Sequence, residues 1–454
     1  MSPLVPIRLS KSIDQGLAPS FEKISACVHC GLCLEACPTY RELRVEMDSP
    51  RGRIYLMKGL FAGRIEPTPT TLKHLDQCLD CRACETACPS GVQYGNILEH
   101  TRAALAPTRT PSLPQQLLRW FFFKQLLPNR TVQAVVFGFL WIGQTLGLVH
   151  IGRWLAGTGL LPARLKAAVA SAPNLPLFSF RQRAARPFNR DNHIDPQTGT
   201  IVFPARGERR HRVALFTGCI ADQMFSEVNQ ATVEVLTHNG CEVEVLADEG
   251  CCGALHLHNG EYVHAKDLAR RNVDRFKGFD RIISNAAGCS AELRHYGGLL
   301  DNDAQAATFG GAIRDICEFL VEINFERPAA ARNAGKKKRL AYDEPCHLLH
   351  AQKISSAPRA VLDALPGYER VTLEAADACC GSAGVYAILQ PELSSQVSRR
   401  KIDHIKASGA EVVATGNPGC LLQIAATART EGVPIRVEHP VVLLAEAYRA
   451  AQGR

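Results

Sequence analysis

The sequence predicts an α+β, multidomain chain: a mainly helical N-terminal domain followed by two related α/β repeats. Three observations lead there. The pattern C-x2-C-x2-C-x3-C-P occurs twice within the first hundred residues, a Cys-Cys-Gly triplet with matched flanking cysteines occurs twice in the second half, and short apolar runs alternate there with longer helical patterns. With 454 residues, 46% hydrophobic and 21% charged, the chain has ample material for several cores. A net charge of +8 spread over this length argues against a nucleic-acid partner, which asks for a clustered basic face. The first 25 residues hold no apolar run of signal-peptide length. The 18 cysteines are therefore expected in a reducing compartment, where clustered thiols bind metal rather than form disulfides.

The N-terminal domain rests on the first repeat. Cys27, Cys30, Cys33 and Cys37-Pro38 are answered by Cys78, Cys81, Cys84 and Cys88-Pro89, displaced by 51 residues. Two-residue gaps let one tight loop aim three thiolates at an iron–sulfur cube. The fourth cysteine, leaving the loop before proline, serves the other cube. The expected ligand sets for two [4Fe–4S] clusters are thus Cys27, Cys30, Cys33, Cys88 and Cys37, Cys78, Cys81, Cys84, in a ferredoxin-like domain. Zinc would use two CxxC pairs and has no need of a third cysteine or of one before proline. His29 would be a redundant ligand and is expected packed or solvated. Between the motifs, Ser49-Pro50-Arg51-Gly52-Arg53-Ile54-Tyr55 reads as a turn entering a helix. Either arginine, if close to an anionic cluster, would stabilise its reduced state.

The second half rests on the other repeat. Cys219 precedes Cys251-Cys252-Gly253 by 31 intervening residues, and Cys289 follows; Cys346 precedes Cys379-Cys380-Gly381 by 32, and Cys420 follows. Val213–Phe216, Ile282-Ile283 and Val412–Ala414 read as strands running into Cys219, Cys289 and Cys420, and open α/β sheets place their sites at such strand ends. Residues 223–238 read as a helix. These eight cysteines are candidates for further metal or redox chemistry. Cys241 and Cys317 have no counterparts and read as small buried apolar residues. Ala247-Asp248 and Ala376-Asp377 precede the two cysteine pairs alike.

The middle of the chain carries neither motif. Residues 131–152 lack a formal charge, close to the ~20 residues of a membrane span. Gln133, Gln144, Thr145 and His150 interrupt the run, and a span would separate the two cysteine groups across a bilayer. A buried or membrane-surface helix is expected instead, extended upstream by Trp120–Lys124. Residues 172–212, rich in proline and arginine, read as a linker, and Lys336–Arg339 as a solvated one. The expected division is 1–110, the two-cluster domain; 111–210, the apolar helical segment and linker; 211–335 and 336–454, the two Cys-Cys-Gly repeats. Neither G-x-G-x-x-G nor a phosphate loop is present, so substrate oxidation is expected on a partner subunit.

Cys-Val-His-Cys-Gly at 27–31, Pro-Arg-Gly-Arg-Ile-Tyr-Leu at 50–56, Cys-Glu-Thr-Ala-Cys-Pro-Ser-Gly-Val at 84–92, Gly-Cys-Cys-Gly-Ala at 250–254 and Cys-Cys-Gly-Ser-Ala-Gly at 379–384 together resemble the iron–sulfur subunit of glycolate oxidase, a glycolate dehydrogenase. The resemblance implies an electron-transfer subunit that takes electrons from FAD-containing partners oxidising glycolate to glyoxylate and passes them toward quinone. It also implies a cytoplasmic protein associated peripherally with the inner face of the cell membrane. Related subunits serve lactate or glycerol-3-phosphate, and a zinc-bound scaffold is the competing reading from another class. In heterodisulfide reductases the similar repeat ends C-x-x-C and carries an unusual cluster. Here Glu292 and Gln423 stand where that last cysteine would be, leaving Cys219, Cys251, Cys252, Cys289 and Cys346, Cys379, Cys380, Cys420 as four-ligand sets.

Overall fold

The computed structural model describes residues 13–158, 169, 174–185, 192–329 and 336–453. The expectations for residues 1–12, and for 172–173 and 186–191 of the expected linker, lie outside the described residues.

The N-terminal domain is helical, as expected. Ser49 caps the Pro50–Phe61 helix by accepting from Gly52 N–H at 3.0 Å, with Pro50 in the first turn where its missing N–H costs nothing. Gly52 has to be glycine, because a Cβ there would stand 1.9 Å from the Glu46 carbonyl oxygen. This close approach anchors the chain between the two flanking arginines. Ile54, Met57 and Leu60 of that helix pack with Leu75, Ile97 and Leu98 from the Pro69–Asp76 and Tyr94–Ala104 helices. Pro38 similarly opens the Pro38–Leu43 helix directly after Cys37.

The apolar middle segment forms helices Leu113–Arg119, a π-helical turn Trp120–Leu126, Arg130–Thr145 and Leu148–Gly157. Gly147, in the left-handed region at φ +79°, breaks the expected 131–152 run in two. The 16-residue Arg130–Thr145 helix rises about 24 Å, short of the ~30 Å hydrocarbon core. Among the described residues, no helix is long and apolar enough to cross a membrane.

The second half holds two sheets. In the first, β1 (His193–Ile194), β2 (Ile201–Phe203), β3 (His211–Phe216), β4 (Cys241–Val245), β5 (Ile282–Ser284) and β6 (Ile313–Asp315) lie in the order β1-β2-β4-β3-β5-β6. In the second, β7 (Lys338–Tyr342), β8 (Tyr368–Val371), β9 (Val412–Ala414) and β10 (Arg436–Glu438) lie in the order β10-β9-β7-β8. Strands β4, β3, β5 and β6 are parallel, and so are β8, β7, β9 and β10, so the repeats share one topology. The first sheet differs by its antiparallel extension β1-β2, formed from residues read as linker. The expected 223–238 helix is divided at Phe225 into Cys219–Met224 and Ser226–His238.

The two sheets are not separate bodies. Val213, Leu215 and Val243 from the first and Leu340, Tyr342 and Val412 from the second lie in one core cluster. The C-terminal Pro440–Ala451 helix contributes Val441, Leu443, Leu444 and Tyr448 to that core. Cys241 and Cys317 are buried there, as expected of apolar residues.

Candidate iron–sulfur and cysteine sites

The two C-x2-C-x2-C loops have the same backbone. His29 and Asp80, each just before the second cysteine, are left-handed at φ +55° and +52°; Gly31 and Arg82, each just after it, are left-handed at +88° and +59°. Alternating left-handed residues turn successive side chains inward and leave N–H groups near the sulfurs. One cavity is lined by Cys27, Cys30, Cys33 and Cys88 together with Arg51. A second is lined by Cys37, Cys78, Cys81 and Cys84 together with Arg53 and Tyr94. Each cavity draws its fourth cysteine from the other motif. His29 meets the Tyr55 ring edge-on with centroids 6.4 Å apart and lines the first cavity, and Arg51 Nη1 donates to its carbonyl at 3.3 Å.

The cavities differ in exposure. Cys30 is exposed and its three companions half-buried, except that in the second set all four are buried. Burial pushes the Cys33 thiol up to about 11, and drives Cys81 and Cys84 well above the ordinary thiol value. Crowded, buried thiols such as these give up their protons readily only to a multiply charged cation, which makes them a donor set for one. Arg53 is fully buried, its Nε bonded to the His74 carbonyl at 2.7 Å and Nη1 to Thr39 Oγ1 at 3.0 Å, with Cys37 Sγ at 4.0 Å. The backbone N–H of Asp80 and the Tyr94 hydroxyl reach Cys78 Sγ at 3.4 and 3.7 Å.

In the second half the eight repeat cysteines gather into two quartets at the C-terminal ends of the strands, where the sequence places them. Cys219 follows β3, the Cys251-Cys252 pair follows β4 and Cys289 follows β5; Cys346, Cys379-Cys380 and Cys420 follow β7, β8 and β9. Cys219 Sγ is 3.4 Å from Cys251 Sγ, and Cys252 bonds to both Cys251 and Cys289. Cys380 Sγ is 3.2 Å from Cys420 Sγ, and Cys379 bonds to Cys346 and Cys380. Hydrogen bonds from their neighbours hold the Cys252 and Cys379 thiols well below the usual value, while the neighbours that donate to them are raised. Asn417 joins the quartets' loops, donating to Cys420 Sγ at 3.6 Å and accepting from Gly288 N–H at 3.2 Å.

Buried charges that the sequence reading did not single out fix these loops. Glu249, not the neighbouring Asp248, accepts from the N–H groups of Thr217 and Gly218 at 3.1 and 2.8 Å and pairs with Arg181. Asp248 is exposed and bonded to Arg275. In the second repeat Lys401 pairs with Asp343 at 2.8 Å and donates to the carbonyls of Ala375 and Ala376 at 2.9 and 3.0 Å, clamping the chain into Cys379. Burial works against the Lys401 charge, and Asp343 overrides it, raising its pKa. Where the N-terminal domain meets the first repeat, Asp80, Glu99 and His258 place ligand atoms within 4.8 Å of one another. Arg82 closes this group as an ion network, 2.7 Å from Glu99, and Gly95 leaves it room, since a Cβ there would lie 2.5 Å from Arg82 Nε. Glu292, buried against this network, is driven well above the carboxylate range by burial and by Glu99. Gln423 is engaged elsewhere in the repeat, donating to Ser398 Oγ at 3.2 Å. The only hint of these residues in sequence was position, Asp80 and Arg82 inside a cysteine loop and Glu292 in place of a cysteine.

The second cavity and the second quartet adjoin. Cys81 and Cys379 lie in one apolar cluster with Leu79, Tyr386, Leu393 and Val397, and Cys346 packs against it. The first quartet is covered from the middle segment, with Phe123 and Leu127 packed on Cys251.

Comparison with known proteins agrees with this layout. Residues 23–92 match a family model described as a 4Fe-4S dicluster domain, and residues 213–294 and 340–425 match one described as a cysteine-rich domain. The chain is 36% identical to the "Probable glycolate oxidase iron-sulfur subunit" of Bacillus subtilis (strain 168), over 93% of each chain. It is 33% identical to the "Glycolate oxidase iron-sulfur subunit" of Escherichia coli (strain K12), covering 90% of this chain and 91% of that one. "Lactate utilization protein A" of Oceanobacillus iheyensis is 28% identical over 51% of this chain and 96% of its own.

Proposed function

Because the chain belongs to the family of glycolate oxidase iron–sulfur subunits, we propose that it is the electron-transfer subunit of a complex whose FAD-containing partner oxidises glycolate to glyoxylate. Electrons then pass through this chain toward quinone. The observation that carries the reading is the run of cysteine sets from a solvent-facing cavity, through a buried one, to a quartet packed against it. The proposed ligand sets are Cys27, Cys30, Cys33, Cys88 and Cys37, Cys78, Cys81, Cys84, with Cys219, Cys251, Cys252, Cys289 and Cys346, Cys379, Cys380, Cys420 as candidates for a further cluster. Bound [4Fe–4S] clusters supply one-electron carriage. The chain's own residues supply the rest: Arg51 and Arg53 place one cation at each cavity, and buried leucines and Tyr386 exclude water between the second cavity and the second quartet.

The middle helices support peripheral attachment to the inner membrane face. Val135, Phe139, Ile142 and Leu146 recur at helical spacing and are all exposed, as are Leu148, Ile151 and Trp154 on the next helix.

Anaerobic addition of glycolate to the natively purified complex, followed by the visible iron–sulfur absorbance, tests the proposal. Bleaching by glycolate and not by lactate is expected. Bleaching by lactate alone would move the chain to the sister activity suggested by its partial likeness to the lactate utilization protein. Zinc without acid-labile sulfide would sink the redox role altogether.

A further inference from the structure

A cavity of about 260 Å³ opens beside the second cysteine loop, between the N-terminal domain and both repeats. Its lining combines hydrogen-bond donors, Arg102, Arg109, Arg119 and His258, with apolar side chains, Leu79, Val385, Tyr386 and Leu389. Cys78 and Asp80 of the cysteine loop also line it. The Tyr386 ring is held in place by a bond from its hydroxyl to the Gln77 carbonyl at 2.8 Å.

Three of the donors' charges are already answered. Arg109 is forked onto Asp76 at 2.7 and 2.6 Å, Arg119 is 2.7 Å from Glu261, and His258 is 2.9 Å from Asp80. Arg102 faces the carbonyls of Leu75, Cys78 and His258. An entering carboxylate would meet Asp76 and Asp80, with Arg102, turned to backbone carbonyls, as the cation left to answer it; a neutral ligand avoids that repulsion. A neutral, flat molecule with carbonyl acceptors fits well, its ring against Tyr386 and the leucines and its oxygens toward the guanidinium edges. The surroundings favour a lipid-soluble one. Ile388 and Leu389 are exposed beside the cavity, and the helix ending at Arg119 exposes Leu113, Leu117 and Leu118.

We propose that this cavity binds the headgroup of an isoprenoid quinone. The proposal rests on the reading that electrons leave this subunit toward quinone, and it assigns the place where that acceptor docks: against the loop of Cys78 and Cys81, rather than at the quartet covered by Phe123 and Leu127.

The test is photolabelling of the purified complex with an azido-quinone carrying a short isoprenoid tail, followed by peptide mapping. Labelling is expected within 76–80, 102–119 or 383–390, with no protection by millimolar glycolate. Val385→Trp fills the cavity and Leu389→Glu charges its apolar lining. Each should lower labelling at least tenfold while the visible cluster absorbance persists, and the second guards against misfolding of the first. Labelling confined to other segments, protection by glycolate, or unchanged labelling in either folded variant would overturn the assignment. Bleaching of the wild type by glycolate reports separately on the electron-transfer reading, so the two can fail independently.

Discussion

Replacing Arg53 by methionine should make the second N-terminal cluster harder to reduce while leaving the first nearly unchanged. Burial opposes the Arg53 charge, yet Cys78, Tyr94, Cys37 and Asp48 hold it firmly protonated. It is fully buried, and its Nη1 stands 4.0 Å from Cys37 Sγ. A unit charge at 4.0 Å through an effective dielectric of ~20 is worth ~4 kcal/mol. At ~59 mV per tenfold change for one electron, that is roughly 170 mV. Two features reduce it. Asp48 lies 3.4 Å from Nη2 and answers part of the charge, and an added electron would be spread over a whole cluster instead of resting on one sulfur. A negative shift on the order of 100 mV is therefore expected. Anaerobic redox titration followed by electron paramagnetic resonance measures it. The first cluster is the internal reference: its own arginine, Arg51, is partly exposed and bonded to Glu46 at 2.7 Å, so R51M should shift that potential less. R53K keeps the charge and loses the fork, and should fall between wild type and R53M. An intact second cluster in R53M with a potential within ~20 mV of wild type would refute the electrostatic reasoning.

Four further outcomes can be checked. C88S should remove the resonance of the first cluster and C37S that of the second; loss in the opposite pairing would show that the fourth cysteines do not cross. K401M strands the Asp343 carboxylate and frees two carbonyls, so it should destabilise the second repeat by about 3–5 kcal/mol in anaerobic urea unfolding, with K401M/D343L recovering most of it; equal costs for single and double variants would contradict a pair. His258 is pulled down by burial but held up at about 10 by Asp80 and Glu99, so its stabilisation is complete below ~6.5 and is lost as pH rises through about 10. The thermal midpoint should fall over that window, and H258Q should flatten the slope; an identical slope in the variant would exclude His258 as its source. Finally, F139E/L146E should abolish co-sedimentation with anionic lipid vesicles, and unchanged pelleting would mean the exposed stripe is not the membrane-facing surface.

Periodic and spaced features were legible in the sequence because short-range rules govern them. The cysteine spacing dictated the two loops, and the apolar runs at 213–216, 282–283 and 412–414 fell on β3, β5 and β9. Ser49-Pro50 announced its helix by capping chemistry alone. What stayed hidden depends on residues far apart in the chain. Ile201–Phe203 pairs with β4 across some forty residues, so a stretch full of proline and arginine became sheet edge instead of linker. Arg51 and Arg53 are two residues apart, yet the helix sends one to each cavity, which no local pattern could decide. Glu249 outranked Asp248 because burial is a tertiary fact. The Asp80, Glu99, His258 and Arg82 network joins the N-terminal domain to the first repeat, which meet only after folding.

The core shared by the two repeats bears on how this chain came to be and how far it can be cut. Two copies with the same strand order look divisible, yet β3 and β7 bury their apolar faces in a single interior, sealed by a helix from the far C-terminus. Severing the copies would part the Pro440–Ala451 helix from the Ser226–His238 helix and open the shared core to water, a loss of roughly 1.5–3 kcal/mol for each large side chain exposed. Neither copy is then a free-standing module. Each quartet therefore sits in a scaffold that the other copy also supports, and a change to one copy's core is felt at both.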